Sequence, residues 1–413
     1  MRLLGPSVLR IGGDSVDVSW WTSRGEAPPP WAANTVTPAD ISALSGLLAA
    51  TGWRVLLGVD LGHFEPARIG DEARHARAIL HHRLLGIEIG NEPDDFPRRA
   101  MLRPTGYDAP EYQREATSYR RQIASAGVAV YGPALARTEW LPQLHAFDRT
   151  LTALTLHYYP GATCVPPGSP VAGGLPAGGE LLEPTVREEE DQMLAALTRA
   201  GALAGRPTRI GETNASACAG SPSQAPLYAS ALWSLDFSLR AASDGVGGVS
   251  FHGSLGVCEA FPESPICATT QTAARAGALV AQPEFYGLLA ARRLEGGRFI
   301  PIQVSGAPLP ADVTTWATLA PDGTIRVVID DLAVAGAPQQ LSLSAAGDTI
   351  TAQTLTGTLG AGARSVSLGG ATVNPDGTWH PHRVALESQA GLLHVVLAPA
   401  SAIVLTLQPH GDR

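Results

Sequence analysis

Two apolar runs in this chain end abruptly in a glutamate. They are Leu84-Leu85-Gly86-Ile87-Glu88-Ile89-Gly90-Asn91-Glu92-Pro93 and Thr208-Arg209-Ile210-Gly211-Glu212-Thr213-Asn214. Glu92 and Glu212 are separated by 212 − 92 = 120 positions. A pair of carboxyl groups, one protonated to donate to a leaving oxygen and one ionised to attack carbon, is the equipment for a two-step displacement at a glycosidic carbon. Pro93 has no N–H for a sheet ladder, so the strand before it must stop and leave Glu92 at its carboxyl end. Glu212 is expected in the same place on its own strand. The plainer reading of each is a surface carboxylate near a helix cap. Glu88 shares strand parity with Glu92, so it should point inward. A buried carboxylate needs a partner, and Arg10 is the candidate, which makes Glu88 structural.

Further polar and aromatic groups stand where strands are expected to end. Asp14 and Trp20 follow the run Arg10-Ile11-Gly12-Gly13. Asn91 stands beside Glu92. His157 and Tyr159 close another run, and His252 follows Phe251. Aromatic faces with convergent hydrogen-bonding groups suit a sugar, whose C–H faces are apolar and whose rim is hydroxyl. Asp14, Trp20, Asn91, His157, Tyr159 and His252 are therefore the candidate substrate-binding set, with His157 and Tyr159 expected to orient Glu212. A lone Trp or His is more often core packing. No cofactor is implied, and no metal-ligand spacing is present.

The elements that must position these groups alternate. β runs are expected at Ser7–Gly12, Arg54–Asp60, Leu84–Gly90, Ala129–Ala134, Leu151–Tyr158, Thr208–Gly211 and Gly248–His252. Helical patterns lie between them, over Pro38–Leu48, Pro66–His82, Pro110–Ala126, Glu183–Ala204 and Gln224–Ser243. Such alternation reads as βα units around a parallel sheet. No GxGxxG follows the first strand, which disfavours a dinucleotide-binding sheet, and the number of units favours an α/β fold of the (β/α)8 TIM-barrel type. The count reaches seven where a closed barrel needs eight, so the first strand is expected upstream of Met1. Three βα units separate Glu92 from Glu212, which lets them face one barrel mouth. From about Arg298 the pattern changes to nine short runs rich in Val, Thr and Leu, expected as strands at Ile300–Val304, Val313–Ala320, Ile325–Leu332, Gln339–Ser344, Thr349–Leu355, Ser365–Leu368, Arg383–Glu387, Leu392–Leu397 and Ile403–Leu407 and divided by turns such as Pro321-Asp322-Gly323. This reads as a C-terminal antiparallel β-sandwich. The expected domains are residues 1–290, a catalytic barrel, and 291–413, the sandwich.

A chain of 413 residues accommodates these two domains. Its net charge is −9, all its basic residues are Arg, and none form a run, which argues against nucleic acid as a partner. No apolar run reaches the length of a membrane span. Met1-Arg2-Leu3-Leu4 leads directly into Gly5 and Pro6, so no signal-peptide core is expected. Cys164, Cys218, Cys258 and Cys267 fall in expected loops and permit two disulfides and an extracytoplasmic location, or four free thiols. The expected partner is a carbohydrate or glycoside substrate, with the protein a monomer or weak homodimer.

Leu9-Arg10-Ile11-Gly12-Gly13-Asp14-Ser15 with Ser19-Trp20-Trp21, then Ile89-Gly90-Asn91-Glu92-Pro93, then Ile210-Gly211-Glu212-Thr213-Asn214 resemble glycoside hydrolase family 79, the heparanases and bacterial β-glucuronidases. Pro283-Glu284-Phe285-Tyr286-Gly287-Leu288-Leu289 resembles that family's bridge into its C-terminal sandwich. The resemblance spans nearly the whole chain. It implies Glu92 as acid/base, Glu212 as nucleophile, Asn91 as the contact to the sugar 2-hydroxyl, and a retaining β-glucuronidase activity. Family members also carry a segment ahead of the Arg-Ile-Gly-Gly strand. Two departures bear on specificity. A Tyr five residues after the nucleophile helps hold the uronate carboxylate in the family's glucuronidases, whereas here that position is Ala217, followed by a matching Cys218. The loop after the last strand, Gly253-Ser254-Leu255-Gly256-Val257-Cys258, has no Tyr. A neutral-sugar β-glucosidase or β-galactosidase is therefore the nearest alternative, and a non-catalytic carbohydrate-binding protein is an alternative of another class.

Overall fold

The computed structural model describes residues 1–98, 102–160, 179–215, 227–262, 264–305, 307–345, 348–362 and 365–409. β1 (Val8–Ile11) is followed by a small parallel pair, β2 (Ser19–Trp21) and β3 (Asn34–Val36). The main strands continue with β4 (Arg54–Val59), β5 (Leu84–Ile89), β6 (Val130–Leu135), β7 (Ala153–Tyr158), β8 (Thr208–Thr213) and β9 (Val249–Phe251). Helices α1 (Pro38–Thr51), α2 (Pro66–Leu80), α3 (Ala109–Ser125), the short α4 (His145–Asp148), α5 (Pro184–Ala204) and α6 (Tyr228–Ser243) lie between them. Seven strands join in the order β1-β4-β5-β6-β7-β8-β9, parallel throughout from β1 to β8. The expected TIM-type α/β barrel is present, and all seven expected β runs are strands of this sheet.

Local chemistry explains the pattern. β4 and β6 are buried at nearly every position, as strands are in a parallel barrel whose outer face is covered by helices and whose inner face packs on itself. Pro38 opens α1 behind Thr37, whose backbone N–H donates to the Asp40 carboxylate at 2.9 Å, and Gly52 closes the helix in the left-handed region. Asp108 caps α3 by accepting from the Glu111 N–H at 2.9 Å. The buried residues of α3 (Tyr112, Ala116, Tyr119 and Ile123) recur at helical spacing, as do Ile69, Ala73, Ala76 and Leu80 of α2.

The chain forms two compact units. One comprises Met1–Tyr158, Gln192–Thr213 and Asp244–Ser250, and the other Tyr159–Asp191, Asn214–Ser243 and Phe251–Arg413. The second unit holds the antiparallel pair β10 (Ile266–Cys267) and β11 (Val280–Ala281), then α7 (Gln271–Ala276) and α8 (Pro283–Ala291). Its larger sheet is built from β12 (Arg298–Phe299), β13 (Val313–Leu319), β14 (Ile325–Asp331), β16 (Asp348–Thr356), β17 (Ser367–Leu368), β18 (Val384–Leu386) and β20 (Ser401–Pro409). A separate antiparallel pair joins β15 (Gln339–Ser344) to β19 (Leu392–Leu397). Alternate residues of β19 (Leu393, Val395 and Leu397) pack into one core with Ile329, Ile350, Ile403 and Leu405 of the larger sheet, which makes the sandwich.

One strand expectation is corrected. Ile300–Val304 is not a strand: pairing stops after the Ile300 N–H donates to the Ala317 carbonyl at 3.0 Å. Pro301 follows and has no donor to continue the ladder. Cys258 and Cys267 form a disulfide. Cys164, Cys218 and Ala217 lie outside the described residues. Among the described residues no helix is long and apolar enough to cross a membrane.

Asp330 of β14 is a local conflict within the sandwich unit. It is fully buried and neither carboxylate oxygen has a hydrogen-bond partner. Burial, reinforced by the charges of Asp236 and Asp331, holds its carboxyl well above the usual carboxylate range. A carboxyl raised in the folded state favours folding less as pH climbs beyond its unfolded value of about 4. Asp330→Asn removes that titration. Its melting temperature is expected to exceed the parent's at pH 8 and to converge on it towards pH 4, as measured by thermal unfolding across that range.

Candidate active site

β5 delivers Glu92. After Ile89 the chain turns through Gly90 at φ +75°, and Glu92 itself sits in the left-handed region at φ 46°. That conformation is uncommon for a residue with a Cβ and is held only where surroundings over-determine it. Here the Glu92 N–H donates to the Ala134 carbonyl at the end of β6 (2.9 Å). Two residues on, the Asp94 carboxylate accepts from the backbone N–H groups of Ala136 (2.9 Å) and Arg137 (3.0 Å). Burial pushes the Asp94 carboxyl up to about 6, with the Ala136 donor opposing. The Glu92 loop is thus tied at two points to the end of β6.

β8 delivers Glu212, one residue before the strand ends, where it pairs in register with His157 of β7. His157 Nδ1 is hydrogen-bonded to Glu92 Oε1 at 3.0 Å. His157, expected to orient Glu212, thus meets Glu92 through Nδ1, and a cation holds Glu212. Glu92, His157 and Glu212 each offer a donor atom within 4.8 Å of the others. Three such atoms could also converge on a metal ion, but the charge beside Glu212 is already supplied by an arginine.

That arginine is Arg10 of β1. Its Nε donates to Glu88 Oε2 at 2.5 Å, its Nη1 to Glu212 Oε2 at 2.5 Å, and its Nη2 to Asn91 Oδ1 at 3.0 Å. Burial of the guanidinium opposes its charge, but the two carboxylates outweigh it and hold the group protonated. Asn91 is buried and passes the network on, donating to Asp14 Oδ1 at 3.0 Å. Glu88 does pair with Arg10, as expected of a buried carboxylate, yet Arg10 ties it to Glu212 as well. The sequence signal for the second contact is Gly12-Gly13. A Cβ on Gly12 would stand 2.7 Å from Arg10 Cζ, and one on Gly13 would stand 3.5 Å from Glu212 Oε2.

The remaining candidates are placed differently. Asp14 is exposed within this network. Trp20 is packed: it is 7% exposed, the Arg68 guanidinium lies 3.3 Å over its ring and Trp31 meets it edge-on. The cation covers the face that a sugar would need, so the expected sugar-facing ring is not found there. At the end of β4, Asp60 is pushed up to about 8 by burial and by the charge of Asp17. Tyr159 and His252 belong to the second unit, where their rings meet edge to face at 6.5 Å. In that unit Asn214, next but one after Glu212, donates to the His252 carbonyl at 2.7 Å.

The fold is similar to that of a 4-O-α-L-rhamnosyl-β-D-glucuronidase from Fusarium oxysporum 12S, with a TM-score of 0.73 and 18% identity over 97% of this chain and 88% of that one. It is also similar to a family 51 arabinofuranosidase from Xanthomonas axonopodis pv. citri, with a TM-score of 0.68 and 14% identity over 98% and 88%. A third is CelM2, a bifunctional glucanase-xylanase from a metagenome library, with a TM-score of 0.66 and 14% identity over 99% and 93%. No protein-family model and no curated protein sequence matches the chain. At these identities the likeness establishes a fold shared with glycosidases.

Asp94→Ala leaves two backbone donors just past β6, those of Ala136 and Arg137, without their acceptor. It is expected to lower unfolding free energy by about 1–3 kcal/mol, measured by urea denaturation at neutral pH.

Proposed function

We propose that this protein is a retaining glycoside hydrolase in which Glu212 is the nucleophile and Glu92 the acid/base. The observation that carries the reading is the pair itself: carboxylate oxygens within 4.8 Å of each other, one just past the third strand of the sheet and one on the sixth. Retaining enzymes hold their carboxyl groups about 5–5.5 Å apart, whereas inverting enzymes leave about 6.5–9.5 Å for a water. The different surroundings support the division of roles. Arg10 favours the ionised form of Glu212, as a nucleophile needs. Glu92 has a ring nitrogen of His157 at hand, which suits a group that gives up and regains a proton. In this reading residues 1–290 form the catalytic barrel and 291–413 a β-sandwich domain.

The substrate class proposed is a β-linked glucuronic acid. The motifs shared with family 79 favour it, and so does the fold likeness to a rhamnosyl-β-glucuronidase. A neutral β-glycoside is the second reading. Arg10 already commits three of its five N–H donors to Glu88, Glu212 and Asn91, and Ala217 replaces a phenol. A panel of aryl β-glycosides separates the two. Turnover of the glucuronide is the expected result, and turnover of glucoside or galactoside alone overturns the substrate assignment. Glu212→Ala is expected to lower kcat at least about a thousandfold with sugar binding retained. An unchanged phenotype would mark a non-catalytic carbohydrate-binding protein.

A further inference from the structure

We propose that Glu88 is a positioning residue of this site, the permanent counter-ion that keeps Arg10 neutralised when Glu212 loses its charge. The inference rests on the retaining reading above. Arg10 is a buried cation, its side chain 5% exposed, and a buried guanidinium without a carboxylate is strongly unfavourable. In the resting enzyme two carboxylates share it, Glu88 through Nε and Glu212 through Nη1.

The reaction changes that count. In the first step a Glu212 oxygen forms a bond to the anomeric carbon. The bond from that carbon to the leaving oxygen breaks, its electron pair goes to the oxygen, and the oxygen takes the Glu92 proton. Glu212 is now a neutral ester. In the second step a water oxygen attacks the anomeric carbon, its proton passes to Glu92, and the ester bond's electron pair returns to Glu212 as a carboxylate. Between the two steps Arg10 has one carboxylate left, and it is Glu88.

The placement of Glu88 fits that duty. It is fully buried within the barrel sheet, where no substrate reaches it. Its Oε1 has no hydrogen-bond partner, and Gly211 lies so close that a Cβ there would stand 3.2 Å from it. The third arm of Arg10 rests on Asn91 Oδ1 while the Asn91 amide is anchored to Asp14, so the guanidinium cannot swing away to find another charge. Without the Glu88 charge, the ester would lie beside an uncompensated cation, and so would the positively charged sugar of the transition state. That penalty falls on the chemical steps and spares ground-state binding of the glycone.

Glu88→Gln is the test, because it keeps the shape and a carbonyl oxygen able to accept from Arg10 Nε and removes only the charge. With the aryl glycoside that the parent turns over fastest, kcat is expected to fall about a hundredfold, with KM changed less than about threefold. Labelling of Glu212 by a 2-fluoro glycoside, followed by intact mass, is expected to slow by a similar factor. A kcat within about threefold of the parent, or a loss carried by KM, overturns the proposal. A double-mutant cycle keeps it testable if Glu88→Gln also loosens the fold: in an Arg10→Met background the same substitution should change kcat less than about threefold. A further large loss in that background would mean that Glu88 does not act through Arg10. Absence of any glycosidase activity in the parent refutes the functional reading instead, whereas an active parent with an unaltered Glu88→Gln variant refutes this inference alone.

Discussion

A guanidinium taken out of water must be surrounded by acceptors, and in this protein that requirement organises the site. Arg10 donates to Glu88, Glu212 and Asn91 at once, from β1 to groups on β5, beyond it and on β8. Those contacts draw three separated stretches of chain to one point. They also favour small residues around it: a Cβ on Gly12 would crowd the guanidinium and force it to shift. The cation is desolvated by its surroundings and stabilised by charge of the opposite sign, so the network tolerates little rearrangement.

The two glutamates of the pair are supported by different devices. Glu212 is placed by regular sheet pairing and held by a cation. Glu92 lies beyond its strand, in a left-handed conformation, and its loop is tied to the end of β6 through Ala134, Ala136 and Arg137. A loop carboxyl next to an imidazole and a strand carboxylate next to a guanidinium are two environments for one residue type, and in the proposed retaining reading that difference is what divides acid from nucleophile. The second unit shows the opposite of such economy at Asp330, where a carboxyl is buried with no partner and its proton is retained.

The strands of the barrel sheet were legible because each is a continuous apolar run bounded by turn residues, and the helices because their buried positions recur at helical spacing. Eight of the nine short runs beyond Arg298 are likewise strands. Ile300–Val304 misled because hydrophobic alternation carries no information about the missing N–H of Pro301. Trp20 misled for a related reason: an aromatic near a strand end reads as a sugar platform, and only packing reveals that Arg68 already covers its face.

The sequence by itself determined which residues are chemically equipped, Glu92 and Glu212, and that each stands at or just past the carboxyl end of a strand, because that end is written locally in Pro93 and in the turn residues after Glu212. It also determined that Glu88 would be buried and in need of a cation. Only the tertiary structure decided that the cation is shared with Glu212, that His157 bonds to Glu92, and that the two carboxylates come within 4.8 Å. These are contacts between strands up to about 200 positions apart, set by barrel register and by the electrostatics of a buried charge, and no local pattern in the chain encodes them.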